Sequence, residues 1–375
     1  MVYCMIRIMS NAFYLYPTAK TYIMKQIMGT GLAASHLFIF HFIRKKDEPA
    51  KEMLMGRTNR PTIKTIAREA GVTANTVSQA LRDSKLVTAD TKTKILEIAR
   101  SQGYVPNVLA ESLRSGRSRT VALVFGNLGN PLFAMKTQKM EHLLRMLGYQ
   151  VLILNSNEDK DQELEVIQTA ISRKVDGVVL CPSQKGHAAL DLLKKHDMPC
   201  VLVGRSFREM QEDAVVWDNE TGGFLATNHL ISLGCKRILY ICGAKYVTTS
   251  WERYDGYVRA LKEAGLPFDA RLIIYPFEME GGLEAALKAV ETPYDGIFAF
   301  SDMLLWETAC HVPNNMKMVG FDNIQSFFAL PISYSSIATD LDEETRQVID
   351  LLLNRIEDPD RPTQKVVLPV RLVVR

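Results

Sequence analysis

The chain has 375 residues, long enough for two or three domains, and at 47% hydrophobic and 23% charged it has the composition of a soluble globular protein rather than a disordered or membrane-embedded one. Net charge is only +3, but it is unevenly spread: residues 57–119 carry 12 Lys/Arg against 5 Asp/Glu, and residues 120–375 carry 26 against 34. A basic N-terminal module on an acidic body points to a polyanionic partner for the module, although a solvated basic face has the same charge count.

Residues 1–59 read as an extension. Its apolar run, GLAASHLFIFHFI at 31–43, is followed by Arg44-Lys45-Lys46 and holds two His. It is shorter than the roughly 20 apolar residues that span a bilayer. A signal peptide places its charge before the apolar run and small residues after it, the reverse of what stands here. We therefore expect translation to start at Met53 or Met55, with a membrane anchor through 31–43 as the alternative.

In residues 62–70, Ile63, Ile66, Ala67 and Ala70 recur at helical spacing, with Thr62 as N-cap and Gly71 as the left-handed stop. Thr73 caps a second helix whose apolar side is Val77, Ala80 and Leu81. A third runs from Thr88 to about Gln102, with Ile95, Leu96, Ile98 and Ala99 inward and Gly103 at its end. Three short helices, the first two joined through a glycine, make a helix-turn-helix pattern. Pro106 then suits the start of a short helix over Asn107 to Arg114, too short to be stable alone, and SGRSRT behind it is a polar linker.

From Thr120 onward, apolar runs of strand length alternate with helical segments: TVALVF, YQVLIL, VDGVVLCP, PCVLVG, AVVW, RILYIC, RLIIYPF, DGIFAF and MKMVGF. That alternation predicts βαβ units and parallel sheets buried on both faces. About nine strands suit two doubly wound lobes better than one sheet. The six Cys form no CxxC pair, and four lie in or beside apolar runs, so buried reduced thiols are expected rather than zinc or disulfides. No Walker loop, G-x-S-x-G or H-E-x-x-H is present, and the His are scattered; we expect no enzyme, cofactor or metal.

The second helix turns Thr73, Ala74, Asn75, Ser78 and Gln79 away from its apolar side, with Thr76 near the edge. In a helix-turn-helix the second helix enters the major groove with its N-terminal residues on base edges. Short side chains permit close approach, and Asn or Gln can pair bidentately with adenine. A polar helix on an unrelated three-helix bundle would look similar.

TIKTIAREAGVTANTVSQAL, GYVPNVLAESLRSGRSRTVALVF, NPLFA, VDGVVLCPS, DNETGG, RYDGY and VGFDN fall in the order seen in the lactose-repressor/galactose-repressor family of bacterial transcriptional regulators. The resemblance covers residues 60–375. It implies an α/β chain with a three-helix headpiece at 60–105, a hinge helix and linker at 106–119, and a two-lobed periplasmic-binding-protein-like effector domain at 120–375. Lobe 1 is expected over 120–217 and 339–363, and lobe 2 over 218–338 and 364–375. Ala74, Asn75 and Gln79 match the base-choosing positions, with Thr62 and Arg82 as flanking DNA contacts; many members have Arg where this chain has Gln79. Asn107, Ala110 and Leu113 match the hinge helix, in which the Leu wedges between central base pairs from the minor groove. Arg253 and Asp322 match the family's ligand-binding Arg and Asp. Asn130 and Phe133 in NPLFA, Arg205 after VLVG, Trp217 near the lobe crossover, and Ser301 and Asp302 complete the expected effector set. Ser301 stands where members usually have Asn, and the segment from there to VGFDN is shorter than usual. The resemblance implies a cytoplasmic, dimeric repressor on a palindromic double-stranded operator, controlled by a sugar-like metabolite. A membrane-tethered regulator and a transport-type sugar-binding protein are the competing readings; the latter would lack the DNA-binding module.

Overall fold

Three short helices, the first two capped by threonine side chains, build the first part of the chain in the computed structural model, which describes residues 61–82, 84–105, 116–327 and 333–375. The expectations for residues 1–59, and for Asn107, Ala110 and Leu113, lie outside these residues. The chain divides into two compact units at 106/107.

In the first unit, α1 (Ile63–Ala70) begins at Thr62, whose hydroxyl accepts from the Thr65 N–H while Thr65 Oγ1 accepts from the Thr62 N–H. This reciprocal cap satisfies two of the N–H groups that every helix start leaves unpaired. Gly71 ends the helix at φ 73. Thr73 caps α2 (Ala74–Ala80), and α3 (Ala89–Ser101) follows. Ile66, Val77 and Ile95, all fully buried, form the centre of the core with Ala67, Ala70, Ala80 and Ala99. Ile98 packs against this cluster, whereas Leu96, expected inward, stays half-exposed and outside it.

The second unit holds two parallel-sheet lobes. Lobe 1 comprises β1 (Thr120–Phe125), α4 (Pro131–Met146), β2 (Gln150–Asn155), α5 (Lys160–Ser172), β3 (Gly177–Leu180), α6 (Ala188–Lys195), β4 (Cys200–Val203) and β5 (Ala214–Trp217). Lobe 2 comprises α7 (Asn219–Ser232), β6 (Ile238–Ile241), α8 (Thr248–Glu263), β7 (Ile273–Ile274), α9 (Gly282–Lys288), β8 (Gly296–Ala299), α10 (Asp302–Ala309), β9 (Lys317–Phe321) and β10 (Ser335–Ala338). The chain then returns: α11 (Leu341–Glu357) and β11 (Lys365–Leu368) join lobe 1, and β12 (Arg371–Val373) closes lobe 2.

Sheet order is β11-β5-β4-β3-β1-β2 in the first lobe and β12-β10-β9-β8-β6-β7 in the second. Among the described strands only β12 runs antiparallel. Strands such as β1, VALVF after its first residue, are buried on both faces, which is why they read as unbroken apolar runs rather than alternating ones. The sequence boundary at 363 needs correction. β11 pairs in parallel with β5 from Lys365↔Ala214 to Leu368↔Trp217, so the last crossing between lobes falls at Pro369-Val370.

In each lobe one early strand, β1 or β6, lies between its successor and the next strand along. Strand order reverses there, and ligands of open parallel sheets bind outside the carboxyl ends of the strands at such points. The chain passes between the two lobes three times, at Asp218, at Thr339-Asp340 and at Pro369-Val370, and the switch-point rule directs attention to the region where the lobes meet.

Candidate functional site

Two surfaces carry the expected chemistry. On α2, Val77 and Ala80 face the core while Ala74 and Asn75 are exposed and Ser78 and Gln79 half-exposed. Thr73 and Thr76 are tied to each other at the helix start: the Thr76 N–H donates to Thr73 Oγ1 at 3.1 Å, and the two hydroxyls are 2.9 Å apart. Arg82 donates to Ser78 Oγ at 2.9 Å. Asn75 and Gln79 are four residues apart, so both amides lie on one face of the helix.

The second surface is the cleft. Arg253 projects from α8, and its position is set by two backbone-to-backbone approaches. A Cβ on Gly223 would lie 2.1 Å from Arg253 O, and one on Gly256 would lie 2.0 Å from Glu220 O. Only glycine lets α7 and α8 cross this closely, which explains Gly223 of DNETGG and Gly256 of RYDGY; Gly222 instead leaves room for the Phe321 ring. The guanidinium is then held by Nε–H donating to Asn219 Oδ1 at 3.0 Å and by Nη1–H donating to Phe300 O. Its Cζ lies 3.4 Å from the Phe321 ring centroid and 4.5 Å from that of Phe300. Asn219 also donates to Trp217 O at 3.0 Å and to Glu252, so Arg253 is bonded to the first interlobe crossing.

Asp322 follows β9. Its Oδ1 lies 3.9 Å from Arg253 Nη2, and both side chains are buried. That is an ionic approach but too long for a hydrogen bond. Burial pushes the Asp322 carboxyl up to about 6, against the pull of Arg253 and Lys136 and with a further push from Glu344. Burial also lowers the Arg253 guanidinium from its ordinary value, opposed by the Asp322 charge. Across the cleft, Arg205 grips Glu158 with two parallel bonds of 2.7 and 3.0 Å and donates to Pro182 O.

The remaining expected residues are more deeply placed. Phe133 and Trp217, 9% and 5% exposed, belong to the lobe 1 core; Phe133 packs on Phe125. Asn130 caps α4 through Leu132 N–H, and Ser301 caps α10 through Leu304 N–H. Asp302 is fully buried, with both carboxylate oxygens engaged behind the Asp322 loop. Burial, and next the Asp322 charge, push its carboxyl up to about 8. The structure thus brings Arg253 and Asp322 together and sets Arg205 opposite them.

Several cleft residues carry no sequence signal. Lys136 and Glu344 form a buried ion pair at 2.8 Å between α4 and α11. Removing either partner would leave an uncompensated charge, at a cost of about 3–5 kcal/mol. Gln184 of lobe 1 donates to Thr248 Oγ1 at 3.1 Å and accepts from Thr248 N–H at 2.9 Å, bridging the lobes at the start of α8. Cys181 and Cys242 are buried free thiols, pushed up to about 11 and about 12 by burial, and so are poor nucleophiles. Among the described residues no cluster of His, Cys, Asp and Glu could hold a metal ion, and no helix is long and apolar enough to cross a membrane.

If the Asp322 carboxylate accepts hydrogen bonds from an effector, its raised value has a consequence. The charged form prevails above pH 6 and the neutral form below it. Effector affinity should therefore fall as pH drops from 7 to 5, with Arg253, Lys136, Glu344 and the Asp302 carboxyl the titratable groups around Asp322. Titration calorimetry across that range checks this; affinity that is flat or rises toward pH 5 would remove Asp322 as acceptor.

A helix-turn-helix unit followed by two parallel-sheet lobes joined by three crossings defines a class with a DNA module and a binding-protein-like body. The profile of "Bacterial regulatory proteins, lacI family" matches residues 62–107, and that of "Periplasmic binding proteins and sugar binding domain of LacI family" matches 118–292. A periplasmic binding protein-like domain matches 227–375. The HTH-type transcriptional regulator DegA of Bacillus subtilis is 30% identical over 327 residues, covering 84% of this chain and 97% of that protein. The transcriptional regulator CelR in complex with cellobiose is similar in structure at TM-score 0.61 and 27% identity, over 84% of this chain and 99% of that one. The lac repressor dimer bound to operator and the anti-inducer ONPF aligns at TM-score 0.70 over 84% of this chain and 98% of that one; at 18% identity it shows the fold alone. The chain belongs to the LacI family of bacterial regulatory proteins.

Proposed function

We propose that the protein is a cytoplasmic, dimeric repressor that binds a palindromic operator and is controlled by a small polyhydroxylated metabolite, a sugar or sugar derivative, in the interlobe cleft. The observation that carries this reading is the pairing of Arg253 and Asp322, which face one another at 3.9 Å without bonding. A donor fork and an acceptor at that spacing suit a ligand hydroxyl that bridges both from one side. CelR, a relative of similar structure, is seen in complex with cellobiose.

On the DNA side, α2 presents Thr73, Ala74, Asn75, Thr76, Ser78 and Gln79, with Thr62 and Arg82 at the backbone. Two copies related by a two-fold axis would read two half-sites. Asn107, Ala110 and Leu113 would form the hinge helix on the operator, with Leu113 inserted at the central step. Effector binding changes the relation of the lobes and so the hinge helices, and the coupling is reciprocal: an effector that loosens operator binding binds less well to the DNA complex.

Leu113→Ala tests the hinge part. Binding to the selected operator should weaken far more than binding to random duplex, measured by fluorescence anisotropy at one salt concentration. An equal loss on both DNAs would refute the wedge.

A further inference from the structure

We infer that Asp302 is a positioning residue that holds the loop after β9 in a conformation keeping the Asp322 carboxylate apart from Arg253. The loop is unusual. Asp322 has φ 98 and Asn323 φ 51, two consecutive left-handed residues, neither of them glycine. Residues with a Cβ adopt such angles uncommonly, and they persist only where the surroundings over-determine them.

Those surroundings lead back to one carboxylate. The Ile324 N–H donates to Asp302 Oδ2 at 2.8 Å. The Asn323 N–H donates to Ser336 Oγ at 3.0 Å, and that hydroxyl donates to Asp302 Oδ1 at 2.7 Å. Asp322 N–H is fixed separately, to Ile337 O of β10 at 2.8 Å. Asp302 is the first residue of α10, yet its side chain reaches Ser336 of β10, on the far side of β9. It does so by passing over Gly320, where an added Cβ would sit 2.0 Å from Asp302 Oδ1. Every part of this arrangement is buried: Asp302 and Ser336 are fully inaccessible, and Ile324 is 1% exposed.

The consequence is the 3.9 Å gap. Opposite charges this close in a buried site would ordinarily close to a charge-assisted hydrogen bond. The loop holds them open, so that a third group lying to one side of the pair, such as a ligand hydroxyl, can bond to both. Asp302 itself does not face that space. The inference rests on reading the cleft as the effector site, but the geometry it asserts stands or falls without any effector.

The test is a set of ligand-free crystal structures of the full chain: the parent, Asp302→Asn and Gly320→Ala. Gly320→Ala displaces the Asp302 carboxylate without altering a polar group. In both variants Asp322 should relax to negative φ, and its carboxylate should close on Arg253 to about 2.8 Å. In solution, amide exchange at Asn323 and Ile324 should accelerate at least about tenfold, while Met318 and Val319 of β9 keep their protection. A purely structural role would lower thermal stability and leave the spacing unchanged. If Asp302→Asn does not fold, Ser336→Ala removes one of the two links and should give the same shift. Variants that keep φ near 98 and the open gap would overturn the inference. A cleft that binds no sugar but shows the predicted closure would sink the effector reading alone.

Discussion

Replacing Arg253 with alanine will raise the effector concentration needed for half-response by about a hundredfold, while operator affinity without effector stays within a few-fold of the parent. Hydrogen bonds to a charged group contribute about 1.5–3 kcal/mol each, and ~3 kcal/mol corresponds to about two decades in affinity. The loss is not confined to the ligand. Arg253 is buried between Phe300 and Phe321, and its removal strands Asn219 Oδ1 and the Asp322 carboxylate. A lower Tm should accompany the lost response. Arg253→Lys separates the two effects: it keeps the charge beside Asp322 but not the planar fork that reaches Asn219 and Phe300 O together. Measured by operator-release titration, a variant that responds normally would remove Arg253 from the effector site.

The second large effect lies in the headpiece. Asn75→Ala and Gln79→Ala should each cut affinity for the operator by about 10- to 100-fold, since a bidentate base contact contributes about 1–3 kcal/mol of discrimination. Neither residue is part of the Ile66–Val77–Ile95 core, so the fold should stay intact. Affinity for random duplex, which rests on phosphate contacts, should hardly change. Equal losses on both DNAs would mean that α2 touches the backbone rather than base edges. A Gln79→Arg variant should shift the preferred base at one symmetric pair of positions rather than weaken binding everywhere.

The headpiece was legible because its signals are local. Thr62, Gly71 and Thr73 mark helix ends within a few residues of the apolar positions they serve, and the structure places each as a cap. The nine apolar runs also correspond to strands, since buried parallel strands leave unbroken Val/Ile/Leu stretches. The three remaining strands escaped for physical reasons. SSIA of β10 is built of small residues with little apolar contrast, and β11 and β12 are short segments at the chain's end. Assigning β11 to a lobe depends on its pairing with β5, about 150 residues away, which no local pattern encodes.

The effector site divides the same way. Arg253 and Asp322 sit in motifs whose neighbouring glycines and strand ends have visible causes. Phe133 and Trp217 stand at the cleft end of their elements, but sequence position does not reveal which way a ring turns, and both fill the lobe 1 core. Asp302 adjoins Ser301 in sequence yet lies behind β9's loop, because Gly320 opens a path that only the tertiary structure shows. The Lys136–Glu344 pair joins residues 208 positions apart and leaves no trace in local composition.

On the proposed function, this chain should read a symmetric DNA sequence. Selection from random duplex DNA by the full chain, at near-physiological salt, tests it most directly. We predict a palindromic consensus of two half-sites about a central pyrimidine–purine step, the step most easily kinked by an inserted leucine. Binding that is salt-sensitive and blind to sequence would contradict it, leaving a basic headpiece that meets DNA without reading it.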